Sequence, residues 1–198
     1  MPQIEYFGDL ACPTSRSVRI RDSISMKTIH LIAIVLAAAS LSALEAKEQP
    51  RPNPMIDYPG FLANASVVGK LRQDRRITEA EFVRMAAEPG TIIFDARSDS
   101  KFNLLHIKGA RHLSLPDVTA AELANVIPDK SSRILIYCNN NFENEPRALP
   151  GKMATASLNL YTFNTLYSYG YKNVYELGPL IDIKKSVLTF EGSLSTKR

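Results

Sequence analysis

The stretch ILIYCNNNFENEPRALPGK, Ile134 to Lys152, delivers one thiol, Cys138, from an apolar run into a long polar loop. The loop holds Asn139, Asn140, Asn141, Phe142, Glu143, Asn144, Glu145 and Arg147, with Pro146 and Pro150. A cysteine so placed is either a nucleophile, reacting as the thiolate, or an inert core residue, since free cysteine is among the most buried residue types. The loop excludes some thiol chemistries. A thiol site for phosphate or arsenate chemistry would hold its tetrahedral oxyanion with a bidentate arginine in the loop, for instance six residues after the cysteine. That position is Asn144, and Glu143 and Glu145 would repel the anion. A redox sensor would need a partner thiol, because the other cysteine, Cys12, falls in a segment expected to be removed. Three histidines, one of them His30 near the start, make no metal-ligand cluster, and no glycine-rich phosphate loop is present. Neither a metal nor another cofactor is expected.

The flanking elements say where the thiol sits. Thr78 precedes Glu81 by three residues in TEAEFVRMAAE, a capping box, and Pro89-Gly90 stops that helix. TIIFDA (Thr91–Ala96) and RILIYC (Arg133–Cys138) are short continuous apolar runs, read as buried strands. HLSLP (His112–Pro116) and NVYEL (Asn173–Leu177) are further strands, and VLTFEG (Val187–Gly192) is a last one. TAAELANVI (Thr119–Ile127) is a short helix before Pro128. A longer helix is predicted from about Lys152 to Tyr169, its stripe made by Met153, Ala156, Leu160, Phe163 and Tyr167 and its end set by Gly170. Apolar strands alternating with helices imply an α/β fold around a mostly parallel sheet covered on both faces. Sites in such folds lie beyond the carboxyl ends of the strands. Cys138 is at such an end, and its loop runs into a helix N-terminus, whose positive dipole end favours an anion.

The chain has 198 residues, 45% apolar and 22% charged, an ordinary globular composition. From Met26 it reads MKTIHLIAIVLAAASLSALEAKEQP: a lysine, an apolar run from Leu31 to Leu44, then Ala46. This is the layout of a secretory signal peptide. As a helix the run would rise only about 21 Å, short of the roughly 30 Å hydrocarbon layer. Residues 1–46 are therefore expected to be a leader, with translation starting at Met26 and a signal peptide over 26–46. Residues 47–77, which open with KEQPRPNPMIDYPG, are expected to be an extended lead-in, and residues 78–198 the folded domain. The working protein is expected to be periplasmic or secreted, with no membrane attachment after cleavage. Arg16, Arg19, Arg21 and Lys27 offset Glu5, Asp9, Asp22 and Glu45, so the net charge of +4 belongs to the rest. Its basic residues are scattered, which argues against a nucleic-acid partner.

Together these pieces resemble the rhodanese-like domain. The order is IIFDARS (Ile92–Ser98), LLHIKGARHLSL (Leu104–Leu115), LIYC (Leu135–Cys138), a helix, and LYSYGYKNVYELG (Leu166–Gly178). Rhodaneses show Asp-x-Arg after a strand, His-Ile-x-Gly-Ala, a strand ending in the catalytic cysteine, and Gly-aromatic-x-Asn-Val before the last strand. The resemblance spans about Thr78 to Gly178.

It implies a three-layer fold and sulfur transfer: Cys138 attacks a sulfane sulfur, holds it as a persulfide and passes it to cyanide or a thiol. The loop residues Asn139, Asn140, Asn141, Phe142, Glu143, Asn144 and Arg147 would surround that persulfide. Asp95 and Arg97 would fix the loop after their strand, and His106 would be a hydrogen-bonded turn residue, all three structural supports. Many rhodaneses place a glycine three residues and an arginine five residues after the cysteine. Here those are Asn141, suited to a left-handed conformation, and Glu143, a charge of the wrong sign for an anion. Arg147 is the basic residue that would curl back instead. The expected partner is a small sulfur donor and acceptor, or a persulfide-carrying protein, with the long loop suiting a bulky or neutral donor. The alternative is a non-catalytic binding module that uses the loop 139–151 as a surface.

Overall fold

Four short parallel pairings build the central sheet of the protein, seen here in a computed structural model that describes residues 51–195 together with Met26, Lys27 and His30. The elements in chain order are helix α1 (Tyr58–Arg75), strand β1 (Arg76–Ile77), α2 (Glu79–Ala86), β2 (Ile92–Asp95), α3 (Asp99–Leu104), β3 (His106–Ile107) and β4 (Arg111–His112). There follow α4 (Ala120–Val126), β5 (Ile134–Tyr137), β6 (Phe142–Glu143), α5 (Leu158–Ser168), β7 (Val174–Leu177), β8 (Ile181–Asp182) and β9 (Phe190–Glu191). The main sheet has the order β1-β7-β5-β2-β4, parallel throughout. Two small pairs, β3 with β9 and β6 with β8, fasten loops and tail to its margin. The α/β reading, with a parallel sheet between helices, matches this architecture.

β5 is central, and its residues alternate between two cores. Ile134 and Ile136 face Leu123 and Ile127 of the α4 region, Phe163 and Leu166 of α5, and Val68 of α1. Leu135 and Tyr137 face Phe82 and Met85 of α2, with Phe142, Ala148 and Leu149 from the loop. Ile134, Leu135 and Ile136 are wholly buried, each contributing about 2 kcal/mol of apolar burial. The sequence runs look continuous because both faces of the strand are covered.

The helix over Glu79–Ala86 opens on the expected capping box, with the Glu81 carboxylate accepting from the Thr78 backbone N–H and the Thr78 hydroxyl accepting from Glu81 N–H. The expected extended lead-in over 47–77 is corrected. Residues 58–75 form the longest described helix, α1, capped by Asp57 with Pro59 in its first turn. It carries no apolar stripe, and Val68 is its only buried residue. Polar ties hold it instead, from Asn64 Nδ2 to Ser168 Oγ at 3.0 Å, from Arg75 to the Lys172 carbonyl, and from Arg72 to Glu176. It belongs to the unit Pro54–Arg198, so the boundary expected at residue 78 cuts through one body.

The long helix is also shorter than predicted. α5 starts at Leu158 after a separate 3-10 turn, Ala154–Ala156, because Ser157 takes a non-helical conformation between them. Met153 and Ala156 are therefore exposed, and the buried residues are Asn159, Thr162, Phe163, Asn164 and Leu166. The strand expected at 112–116 shrinks to Arg111–His112, followed by a 3-10 turn at Leu115–Asp117. The predicted leader at 1–46 lies outside the described residues, apart from Met26, Lys27 and His30. Among the described residues no helix is long and apolar enough to cross a membrane.

Candidate active site

Cys138 leaves the carboxyl end of β5 in an extended conformation, and the chain turns at once into a 3-10 turn, Asn139–Asn141. Asn141 organises that turn. Its Oδ1 accepts from the Cys138 backbone N–H at 2.8 Å and from Asn159 Nδ2 at 3.1 Å, while its Nδ2 donates to the carbonyls of Leu177 at 2.6 Å and Pro179 at 3.4 Å. One amide thus joins the ends of β5 and β7 to the first turn of α5. The positive φ expected at Asn141 belongs instead to Asn144, at 71°.

The sulfur meets the start of α5. Cys138 Sγ lies 3.5 Å from Ser157 Oγ, and Ser157 is the N-cap residue of that helix. The Ser157 hydroxyl makes no capping bond to the backbone, an N-cap serine's ordinary use. Cys138 is almost fully buried as a residue, yet it lines a cavity of about 290 Å³ with Asn140, Asn141, Ser157, Asn159, Arg72 and Arg76. Ala154, Leu160, Glu176 and Gly178 complete the lining. Asn159, only 2% exposed, has its Oδ1 buried without a donor.

The structure sorts the loop residues. Cys138, Asn140 and Asn141 line the cavity. Asn140 holds the far end of the loop, exchanging bonds of 2.9 and 2.8 Å with the Lys152 backbone. Asn139 is buried beside it, its Oδ1 also lacking a donor. Phe142 is corrected out of the site: it is a core residue, edge-on to Tyr137 and Phe190. Glu143 and Asn144 line a different hollow with Pro146 and Leu180. The strand pairing of β6 with β8 holds Glu143 there, so its charge does not stand in the wall around Cys138. Arg147 does not curl back. Its side chain is exposed and 3.5 Å from Glu145. Ala148 and Leu149, wholly or nearly wholly buried, pin the loop to the core beside it.

Sequence reasoning missed the cations. Arg72, at the end of α1, donates from Nε to Glu176 Oε2 at 2.6 Å and from Nη2 to Oε1 at 2.8 Å. Arg76 in β1 donates to the Gly178 carbonyl at 3.1 Å, with its Nε 3.8 Å from Glu176. Hydrogen bonding to Glu176 raises Arg72 above its ordinary value, against the opposing effect of burial. The one available signal was Glu176, a carboxylate inside the otherwise apolar strand run NVYEL, which needs a buried partner.

Asp95 and Arg97 make a separate buried network outside the cavity lining. Arg97 grips Asp95 through Nε and Nη2, the latter at 2.6 Å, and also donates to the carbonyls of Ala148 and Leu105. Burial lowers the Arg97 guanidinium, but the Asp95 hydrogen bond and charge outweigh it and the net shift is upward. Tyr137 donates to Asp95 and accepts from the Ile107 N–H at 3.0 Å. Burial, then the Asp95 charge, push the Tyr137 phenol well above its ordinary value. His106 stacks on Phe102, with Nδ1 2.8 Å from the Phe102 carbonyl.

Three solved structures illustrate the likeness. The Alr3790 protein from Anabaena sp. is 24% identical, with 61% of this chain and 85% of that chain covered and a TM-score of 0.43. A rhodanese with anions from E. coli is 20% identical, covering 52% and 99%, at a TM-score of 0.35. A thiosulfate sulfurtransferase from Pseudomonas aeruginosa is 19% identical, covering 59% and 19%, at 0.41. The comparison with curated proteins gave no match. Residues 78–178, just over half of the chain, match the Rhodanese-like domain family, and the protein belongs to that family.

Proposed function

We propose that the protein is a sulfurtransferase working through Cys138. The observation that carries this reading is the position of Sγ: 3.5 Å from the Ser157 hydroxyl, at the N-terminus of an 11-residue helix, on the wall of a polar cavity. The hydroxyl can donate to a thiolate, and the dipole end of α5 favours negative charge at the same point.

In the first half-reaction the Cys138 thiolate attacks the sulfane sulfur of a donor such as thiosulfate. A sulfur–sulfur bond forms to Sγ, the donor's own sulfur–sulfur bond breaks, and sulfite leaves with the bonding pair. The enzyme holds Cys138–S–S⁻, so charge and electrons balance without an external oxidant. In the second half-reaction cyanide or a thiolate attacks the outer sulfur, and Cys138 leaves as the thiolate. The cavity of about 290 Å³ suits a small donor. A persulfide-carrying protein would have to bring its sulfur into this cavity to reach Sγ. The proposal includes export to the periplasm or beyond, supported by the sequence from Met26 to Ala46.

The test is intact mass after incubation with thiosulfate, and separately with a polysulfide, with Cys138→Ser as control. A gain of about 32 Da that cyanide removes, and that the serine variant lacks, is expected. No adduct from either donor would overturn the sulfurtransferase reading and favour a binding module built on the loop 139–151.

A further inference from the structure

The cavity at Cys138 draws its positive charge from outside the matched domain. Arg72, Arg76 and Glu176 are the charged residues of its wall, a net charge of +1. Both arginines precede residue 78, where the family match begins. The loop that follows Cys138 contributes no charge to this wall: Glu143 faces another hollow and Arg147 is exposed against Glu145.

The two arginines have different tasks. Arg72 is committed to Glu176 by two bonds, and the pair is largely withdrawn from water, with side-chain exposures of 21% and 6%. Arg76 is half exposed and stands 3.8 Å from the same carboxylate, too far for a hydrogen bond. Arg72 therefore neutralises Glu176, and the remaining positive charge resides on Arg76. One buried polar atom of the same wall lacks a protein partner, Asn159 Oδ1, whereas Arg76 keeps one bond, to the Gly178 carbonyl. A buried acceptor without a donor is uncommon in folded proteins, and such a group is met by water or by a ligand hydrogen.

We infer that Arg76, positioned beside the Arg72–Glu176 pair, is the anion-selecting residue of the Cys138 site. It supplies from β1 the positive charge that the active loop lacks, and selects small sulfane-sulfur anions over neutral donors of the same size. This rests on the sulfur-transfer reading for its substrate, but the charge itself can be read independently. Attraction between an arginine and a small anion in a partly hydrated cavity is screened by salt, so it must weaken as ionic strength rises.

The experiment compares two alkylating reagents of similar size, anionic iodoacetate and neutral iodoacetamide, on the full chain, with modification read at the Cys138 peptide by mass spectrometry. In each case the thiolate displaces iodide. The ratio of the two rates at low salt is expected to fall about five-fold in Arg76→Gln, to be largely retained in Arg76→Lys, and to shrink with added salt in the native protein. In parallel, Arg76→Gln is expected to raise the KM for thiosulfate about five-fold while kcat changes less than about two-fold, because a charge that binds donor and transition state alike acts on KM. An unchanged reagent ratio in Arg76→Gln would overturn the inference even if Cys138 takes up sulfur. A reduced ratio with no persulfide from any donor would leave Arg76 as the anion-selecting residue and overturn the sulfur-transfer reading. A Cys138 that neither reagent modifies would overturn both.

Discussion

Arg72 holds both carboxylate oxygens of Glu176, at 2.6 and 2.8 Å, across a sequence separation of 104 residues. This pair ties the last turn of α1 to β7 beside the pocket of Cys138, so the segment before the family domain is part of the site. Removing one partner leaves the other charge poorly compensated. Glu176→Gln is expected to lose about 2 kcal/mol of stability in urea unfolding, less than the roughly 3–5 kcal/mol of a fully buried pair because Arg72 keeps some water.

Asn141 stands where many family members carry glycine, yet the change to glycine should harm this protein. Its amide connects Cys138, Asn159, Leu177 and Pro179. Asn141→Gly is expected to lose about 3 kcal/mol, since three buried groups, on Cys138, Asn159 and Leu177, lose this bond and the turn gains freedom in the unfolded chain. Urea unfolding reads the stability, and thiosulfate-driven mass gain at Cys138 should slow at the same time.

Ser157→Ala separates capping from chemistry. An N-cap serine replaced by alanine ordinarily costs about 1 kcal/mol, but this hydroxyl makes no backbone capping bond and faces Cys138 Sγ instead. Stability is expected to change by less than about 0.5 kcal/mol, while the rate of Cys138 alkylation falls about five-fold, the equivalent of one hydrogen bond of about 1 kcal/mol. A loss of stability with unchanged reactivity would show that the hydroxyl serves the helix.

The Tyr137 phenol predicts a pH effect. Its folded-state value is raised, by burial first and by the Asp95 charge second. The folded protein therefore holds a proton that the unfolded chain releases near pH 10. The stabilisation is complete below about pH 10 and is lost as pH rises from there toward the folded value. Tyr137→Phe should flatten that part of the alkaline stability profile. At neutral pH it should also cost about 2 kcal/mol, because the buried Ile107 N–H loses its partner and Asp95 Oδ2 keeps only its bonds from Arg97.

Arg147→Ala checks the placement of the loop. The side chain is exposed and its nearest ionic partner is Glu145 at 3.5 Å. Thiosulfate turnover and stability are expected to stay within about two-fold and about 0.5 kcal/mol of the native protein, as for an exposed ion pair.

Much of the fold was legible because its elements carry local signals. Ile92–Asp95, Ile134–Tyr137 and Val174–Leu177 are short runs that read as buried strands, and Thr78 with Glu81 marks a helix start by local hydrogen bonding alone. The order of these pieces, with His106 to Ala110 between Asp95 and Cys138, was enough to indicate the family and to single out Cys138 as the candidate thiol. Other parts were illegible for definable reasons. α1 was missed because it is held by Asn64, Arg72 and Arg75 reaching distant partners, with no apolar stripe to announce it. α5 was drawn too long because Ser157 breaks the helix by a turn conformation that helical spacing does not record. The loop was misjudged most. Counting residues after Cys138 made Glu143 and Arg147 the charges that matter, but Phe142, Ala148 and Leu149 bury themselves and turn both away. The sequence by itself determined the strand that presents Cys138 and that a helix follows its loop, because both follow from local patterning, but not the residue at which that helix begins. Which charges surround the thiol was decided by tertiary structure alone, since the Arg72–Glu176 contact exists only once a parallel sheet has brought β1 beside β7.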